Sequence, residues 1–211
     1  MISLPSDVPT TLRPLAWIIG SWQGFGTRTR PIFNHTTGQL HAETTIEHLV
    51  GNIAFSISQT PNELVQHTQI FHAAPQDNKV VPMTLSADTA LNCLDAAKLW
   101  WEEKTVWSVT HSRVATKNTP ASARAECVSH GIVTFAEDAH PLVNTQWSAT
   151  VTGPRIMMAT HQGSAKPLSS VTRSFGLVGG ELMIVQDLAT ATQELSEWCV
   201  RMEKISVDNV F

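Results

Sequence analysis

After Gly20 the apolar residues of this 211-residue chain fall mostly at every second position, nearly to the C-terminus. Such alternation puts one set of side chains on each face of an extended strand. Val, Ile, Thr and Phe carry the pattern, and Gly, Pro, Asn and Asp punctuate it at short intervals, as turns between strands require. The spacing predicts strands near 21–30, 39–48, 53–60, 64–73, 79–86, 98–110, 124–136, 143–151, 155–162, 168–178, 181–190 and 198–206. Val178-Gly179-Gly180-Glu181 is the clearest hairpin, because two glycines suit the positive φ angles of a two-residue turn. Before Gly20, Leu12, Leu15, Ile18 and Ile19 recur at helical spacing and predict a short helix within 8–19. Residues 88–97 read as a helical turn, and 116–123 and 136–142 as loops.

Short strands at hairpin spacing point to an all-β fold, a closed antiparallel barrel or a sandwich. Closure removes exposed strand edges, so a single barrel of about ten strands is the expected architecture. No repeat, low-complexity tract or linker divides residues 1–211, which read as one domain. A barrel of this size encloses more volume than its own side chains readily fill, so an internal ligand cavity is expected.

Composition removes several function classes. Hydrophobic residues make up 42% and charged residues 15%, with a net charge of −4. That supports a packed core and argues against a disordered chain. Basic residues do not cluster beyond Arg28 and Arg30, so no nucleic-acid partner is expected. The start, Met1-Ile2-Ser3-Leu4-Pro5, lacks a basic and then apolar leader, and no apolar run approaches a membrane span. Cys93, Cys127 and Cys199 are odd in number and widely spaced, fitting neither a disulfide framework nor a zinc site. A reducing, cytoplasmic setting without membrane association is the expectation.

Two blocks carry a family resemblance. The first, Gly20-Ser21-Trp22-Gln23-Gly24-Phe25-Gly26, fits the pattern GxWxGxG directly after the short helix. There a large ring can cover a barrel end, while Gly20, Gly24 and Gly26 let backbone bend or approach closely. The second runs Thr172-Arg173-Ser174-Phe175-Gly176-Leu177-Val178, Gly180-Glu181-Leu182-Met183, Asp187-Leu188-Ala189 and Gln193-Glu194-Leu195. Together they resemble the nitrobindin family over residues 8–31 and 158–205, whereas 35–157 match poorly. The resemblance implies a barrel with an apolar interior, similar to fatty-acid-binding proteins and lipocalins. In that family ferric haem binds nitric oxide and isomerises peroxynitrite to nitrate.

The same resemblance locates a departure. The histidine that holds haem iron from the proximal side falls at Trp198, whose indole N–H is a donor only and cannot ligate a metal. The family's aromatic-proline-threonine run near haem reads Arg30, Pro31 and Ile32, and a basic residue able to meet a propionate falls close to Lys166. Ile32, Lys166, Trp198 and Met202 are therefore the candidate pocket residues. The implied function is a nitrobindin-like barrel that binds a small hydrophobic ligand and expects no cofactor, no metal and no catalytic residues. The alternative is a haem enzyme acting on peroxynitrite or nitric oxide through another ligand. Met202 shares the strand face of Trp198, Cys199 takes the opposite face, and His161 is a further candidate.

Other chemistry reads as background. The histidines His41, His48, His67 and His72, with Glu43, form no HxH or HExxH pattern. No GxSxG nucleophile elbow is present. Adjacent Trp100 and Trp101 must face opposite sides of a strand, and an outward tryptophan would suit a homodimer interface.

Overall fold

The computed structural model describes residues 7–34, 36–77, 79–133, 142 and 144–205. Ten strands close into an antiparallel barrel in which each strand pairs with its neighbours in sequence and the last returns to the first. They are β1 Gly20–Asn34, β2 Gln39–Ile57, β3 Glu63–Pro75, β4 Leu94–Arg113, β5 Ser122–Val133, β6 Thr145–Thr152, β7 Arg155–Thr160, β8 Ser170–Val178, β9 Glu181–Ala189 and β10 Glu194–Ile205. The expected tails beyond Val133 and Ile205, and most of the 136–142 loop, lie outside the described residues.

A 3-10 helix, Thr10–Leu15, plugs one end and packs against β4, β5 and β6. It is shorter than the predicted 8–19 because Pro14 lies within it and removes a donor. Ile18 and Ile19 are buried beyond its end. The Trp22 indole N–H donates to the Ile18 carbonyl at 2.8 Å, which ties the plug to the first strand. The glycines of the motif set the β1–β10 approach. A Cβ on Gly24 would run into the Arg201 carbonyl, and one on Gly26 into that of Cys199.

Inner-face residues near the plugged end form an aromatic cluster. Phe55, Trp107 and Phe175 meet edge to face, with ring centroids 5.8–6.3 Å apart, the arrangement that ring quadrupoles favour. A separate apolar cluster lies outside the barrel. There Val81, Ala87, Ala90 and Leu94 cover Phe25 and Val50.

Several expected elements differ. The strands 39–48 and 53–60 are one strand, because Gly51 does not break it but makes room for the Met202 side chain on the inner face. Residues 79–86 form no strand; Val81 instead packs on the outer cluster, and Pro82 cannot donate to a ladder. The helical turn within 88–97 is Ala87–Leu91 (α1), capped by the Ser86 hydroxyl, and β4 already begins at Leu94. The last strand begins at Glu194, before 198. Trp100 and Trp101 do not face opposite ways. The β3–β4 register skips Trp100 between Ile70 and Phe71, and this bulge buries both rings.

Candidate functional site

At the end of the barrel away from the helix, where the β1–β2, β7–β8 and β9–β10 connections lie, Leu40, Leu142, Ala165 and Leu168 are buried. Trp198 stands just inside this end. Its ring belongs to the inner core and is 4% exposed. The β9–β10 register skips Glu197 between Ser196 and Trp198, so consecutive residues are both buried. Trp198 lies across β1 from Arg28 and across β9 from Gln186.

A chain of charged and amide groups crosses the interior at this level. Arg173 projects inward from β8, its guanidinium carbon 5.0 Å from the Trp147 ring centre and 5.6 Å from that of Trp198. It donates to both Glu103 carboxylate oxygens, at 2.7 and 3.2 Å. Nε and Nη2 also donate to Gln186 Oε1, at 3.0 and 2.7 Å. Gln186 Nε2 donates in turn to Glu197 Oε2 at 2.8 Å. Glu197 Oε1 lies 3.9 Å from Arg28 Nη2. Arg28 also donates to Glu47 at 3.2 Å and stacks over Trp100 at 4.1 Å. The Thr105 hydroxyl donates to Glu103 Oε1 at 2.7 Å and shares a 2.8 Å hydrogen bond with Ser129. Arg28, Glu103, Arg173, Gln186 and Glu197 are all buried. Ions survive such burial only when paired and hydrogen-bonded, as these are.

Two features set the chemistry of this interior. First, Glu47, Glu103 and Glu197 place three carboxylates against the two guanidiniums of Arg28 and Arg173. Second, the Thr145 hydroxyl and the Trp147 indole N–H, both on the inner face of β6, are buried without a hydrogen-bond partner among the described residues. Neither guanidinium nor indole offers a lone pair to a metal, and the Glu103 and Glu197 carboxylates are engaged by arginine or amide donors.

The predicted pocket residues separate. Trp198 and Met202 share the inner face of β10, and Met202 packs against Gly51. Ile32 is 48% exposed on the part of β1 that pairs only with β2, opposite His41. Lys166 is exposed in the β7–β8 loop and borders a surface hollow with Gln162 and Pro167. Cys199 lies between strands with its thiol pushed up by burial and by Asp187. His161 sits on the outer surface, where it meets Ser148 at 2.8 Å and Glu126 at 3.0 Å. His72 lies 3.7 Å from Glu47 near the loop end. His48 is buried, and desolvation lowers its pKa. Among the described residues no three His, Cys, Asp or Glu side chains converge as a metal site, and no helix is long and apolar enough to cross a membrane.

The interior network escaped sequence reading, yet a signal for it exists. Arg28 continues the parity of Trp22, Gly24 and Gly26; Glu103 lies between Trp101 and Thr105; Arg173 between Val171 and Phe175; Gln186 between Ile184 and Leu188. Polar residues at inward positions of several strands of one barrel must find one another.

No protein-family model matches the chain. A protein named peroxynitrite isomerase from Leifsonia xyli subsp. xyli is 27% identical over 203 residues, spanning 92% of this chain and 94% of the relative. A ferric nitrobindin-like protein from Beutenbergia cavernae is 24% identical over 219 residues, spanning 93% and 94%. The crystal structure of Rv2717c from M. tuberculosis superposes with a TM-score of 0.55 at 15% identity, covering 95% of this chain and all of that one, a likeness of fold. Two relatives matched along nearly their whole length, together with the ten-strand closed barrel, support the resemblance of this chain to the nitrobindin family.

Proposed function

We propose that this chain is a small-molecule-binding barrel of the nitrobindin family that holds no haem through a protein ligand and is not a peroxynitrite isomerase. The observation that carries the reading is Arg173 stacked between Trp147 and Trp198 while clamped to Glu103. At the level where the family resemblance puts an iron-binding imidazole, the side chains present are an indole, two guanidiniums and carboxylates already in use. Such a donor set does not fit haem iron. An apolar guest accords better with the aliphatic and aromatic side chains that line the rest of the interior.

Haemin titration followed by absorption tests the reading. The expected outcome is a broad, weak band typical of haemin adsorbed without an axial ligand. A sharp Soret band with low-micromolar affinity would overturn it and favour the alternative, a haem enzyme acting through another ligand such as Met202. Replacing Trp198 by His is expected to restore little, because Arg173 and Glu103 still fill the space beside that position.

A further inference from the structure

We propose that the groove on the outer face of β4, β5 and β6, at the plugged end of the barrel, binds a phosphate group between Arg113 and Arg124. The groove has a volume of about 600 Å³, and His111, Arg113, Ser122, Arg124, Thr150 and Thr152 line it. A bulge builds it. Along β4 the odd-numbered residues from Trp101 to Val109 are all buried toward the interior. The β4–β5 register then skips Thr110, so His111 pairs with the exposed Arg124 and Arg113 with Ser122. The skip turns both basic side chains outward, where unbroken alternation would have aimed them into the core. Arg124 pairs in turn with Thr150, and Ser122 with Thr152. Arg113 and Arg124 are thus diagonal neighbours on one face, about 7–8 Å apart at the backbone. One tetrahedral anion between them can meet both guanidiniums.

The donors of this groove are unspent. Among the described residues, the side chains of Arg113, Ser122, Arg124, Thr150 and Thr152 have no hydrogen-bond or ionic partner. The next row of the sheet carries Glu63 and Glu126, each paired with Ser108, but neither lines the groove and both are engaged. Glu126 accepts from Ser148 and meets His161 at 3.0 Å. Glu63 accepts from the Ser58 hydroxyl at 3.4 Å. The whole chain is acidic, with a net charge of −4, so the unpaired cations here are a local feature. Guanidiniums suit bidentate contact with phosphate or carboxylate, and the three hydroxyls decide between the two. A carboxylate offers two oxygens and one charge. A phosphate has the oxygens and the charge to occupy both arginines and the hydroxyls together. The site is separate from the barrel interior and does not depend on whether haem binds there.

Proton–nitrogen correlation spectra of the full chain, including the arginine Nε–H signals, test the site at constant ionic strength. Inorganic phosphate, glycerol phosphate and acetate are titrated separately. Phosphate or its ester is expected to saturate, with shifts confined to residues 110–113, 122–124 and 150–152; the tighter of the two tells a free ion from a phosphomonoester. Acetate should bind at least about 5-fold more weakly, having fewer oxygens for the same donors. Arg113→Gln and Arg124→Gln should each weaken phosphate about 10-fold or more, the worth of one charge-assisted hydrogen bond, and Thr150→Val about 3-fold. Arg155→Gln removes an equal charge from the same face, across β7 from Thr152 but outside the groove. It should change affinity less than about 2-fold, because salt screens a charge that makes no contact. Shifts that climb without saturating, acetate as tight as phosphate, no effect of Arg113→Gln or Arg124→Gln, or equal weakening by all three arginine variants would overturn the proposal.

Discussion

Removing the Glu103 carboxylate should be among the most damaging single changes in the interior. In Glu103→Leu the Arg173 guanidinium stays buried, 2% exposed, and loses two of its four hydrogen bonds, those at 2.7 and 3.2 Å. Thr105 loses its 2.7 Å acceptor as well. Stranding one member of a buried ion pair costs about 3–5 kcal/mol. For a chain of this size that is a fall in melting temperature of roughly 6–20 °C. Arg173→Met should cost a similar amount, since it strands the Glu103 carboxylate and frees Gln186 Oε1. The double variant, with apolar groups at both positions, should recover most of the loss, because a buried pair replaced by well-packed apolar side chains is often neutral or stabilising. Urea unfolding followed by circular dichroism and tryptophan fluorescence measures all four proteins of this cycle. Single losses below about 1 kcal/mol, or strictly additive losses in the double variant, would refute the reasoning. They would mean that both groups reach water in solution.

The motif, the plug and the titratable groups give further tests. Gly24→Ala should cost at least about 3 kcal/mol or abolish soluble expression, because the new Cβ meets the Arg201 backbone; a urea midpoint close to wild type would show β1 and β10 farther apart than described. Trp22→Phe removes the 2.8 Å bond to the Ile18 carbonyl and should cost about 1–3 kcal/mol, read from the same unfolding curves. Burial raises the Cys127 and Cys199 thiols, which therefore stay protonated at neutral pH, whereas Cys93 is exposed. Ellman's reagent should label Cys93 quickly in the native protein and the other two only after denaturation. Burial holds the His48 pKa below its ordinary 6.5, so the unfolded chain takes up that proton first as pH falls. Its contribution is full above pH 6.5 and is lost below it. The urea midpoint should drop between pH 7 and 5 by more in wild type than in His48→Leu.

Period-two patterning was enough to expect a closed barrel, because both sheet faces leave a clear alternation, as in Arg155–Thr160 or Glu181–Ala189. What alternation cannot show is a bulge. Trp100 and Glu197 are each one residue out of register, and each puts two successive side chains inside. Nor does local pattern separate a strand from a covering loop, and Val80-Val81 belongs to the loop. Of the pocket candidates, Trp198 and Met202 are interior, while Ile32 and Lys166 came from the resemblance and lie on the surface, on a hairpin and a loop. The Arg173–Glu103 pair joins residues 70 positions apart. Only closure of the ring, which brings β4 and β8 to face across the interior, makes them partners.

The inner face around Trp198 is occupied by a charge-paired network flanked by indoles, where the resemblance would put ligated iron. The iron content and visible spectrum of protein purified from cells supplied with excess haem test it most directly. Colourless protein with far less than one iron per chain and no sharp Soret maximum is expected. Red-brown protein with one iron per chain and the spectrum of axially ligated ferric haem would contradict it.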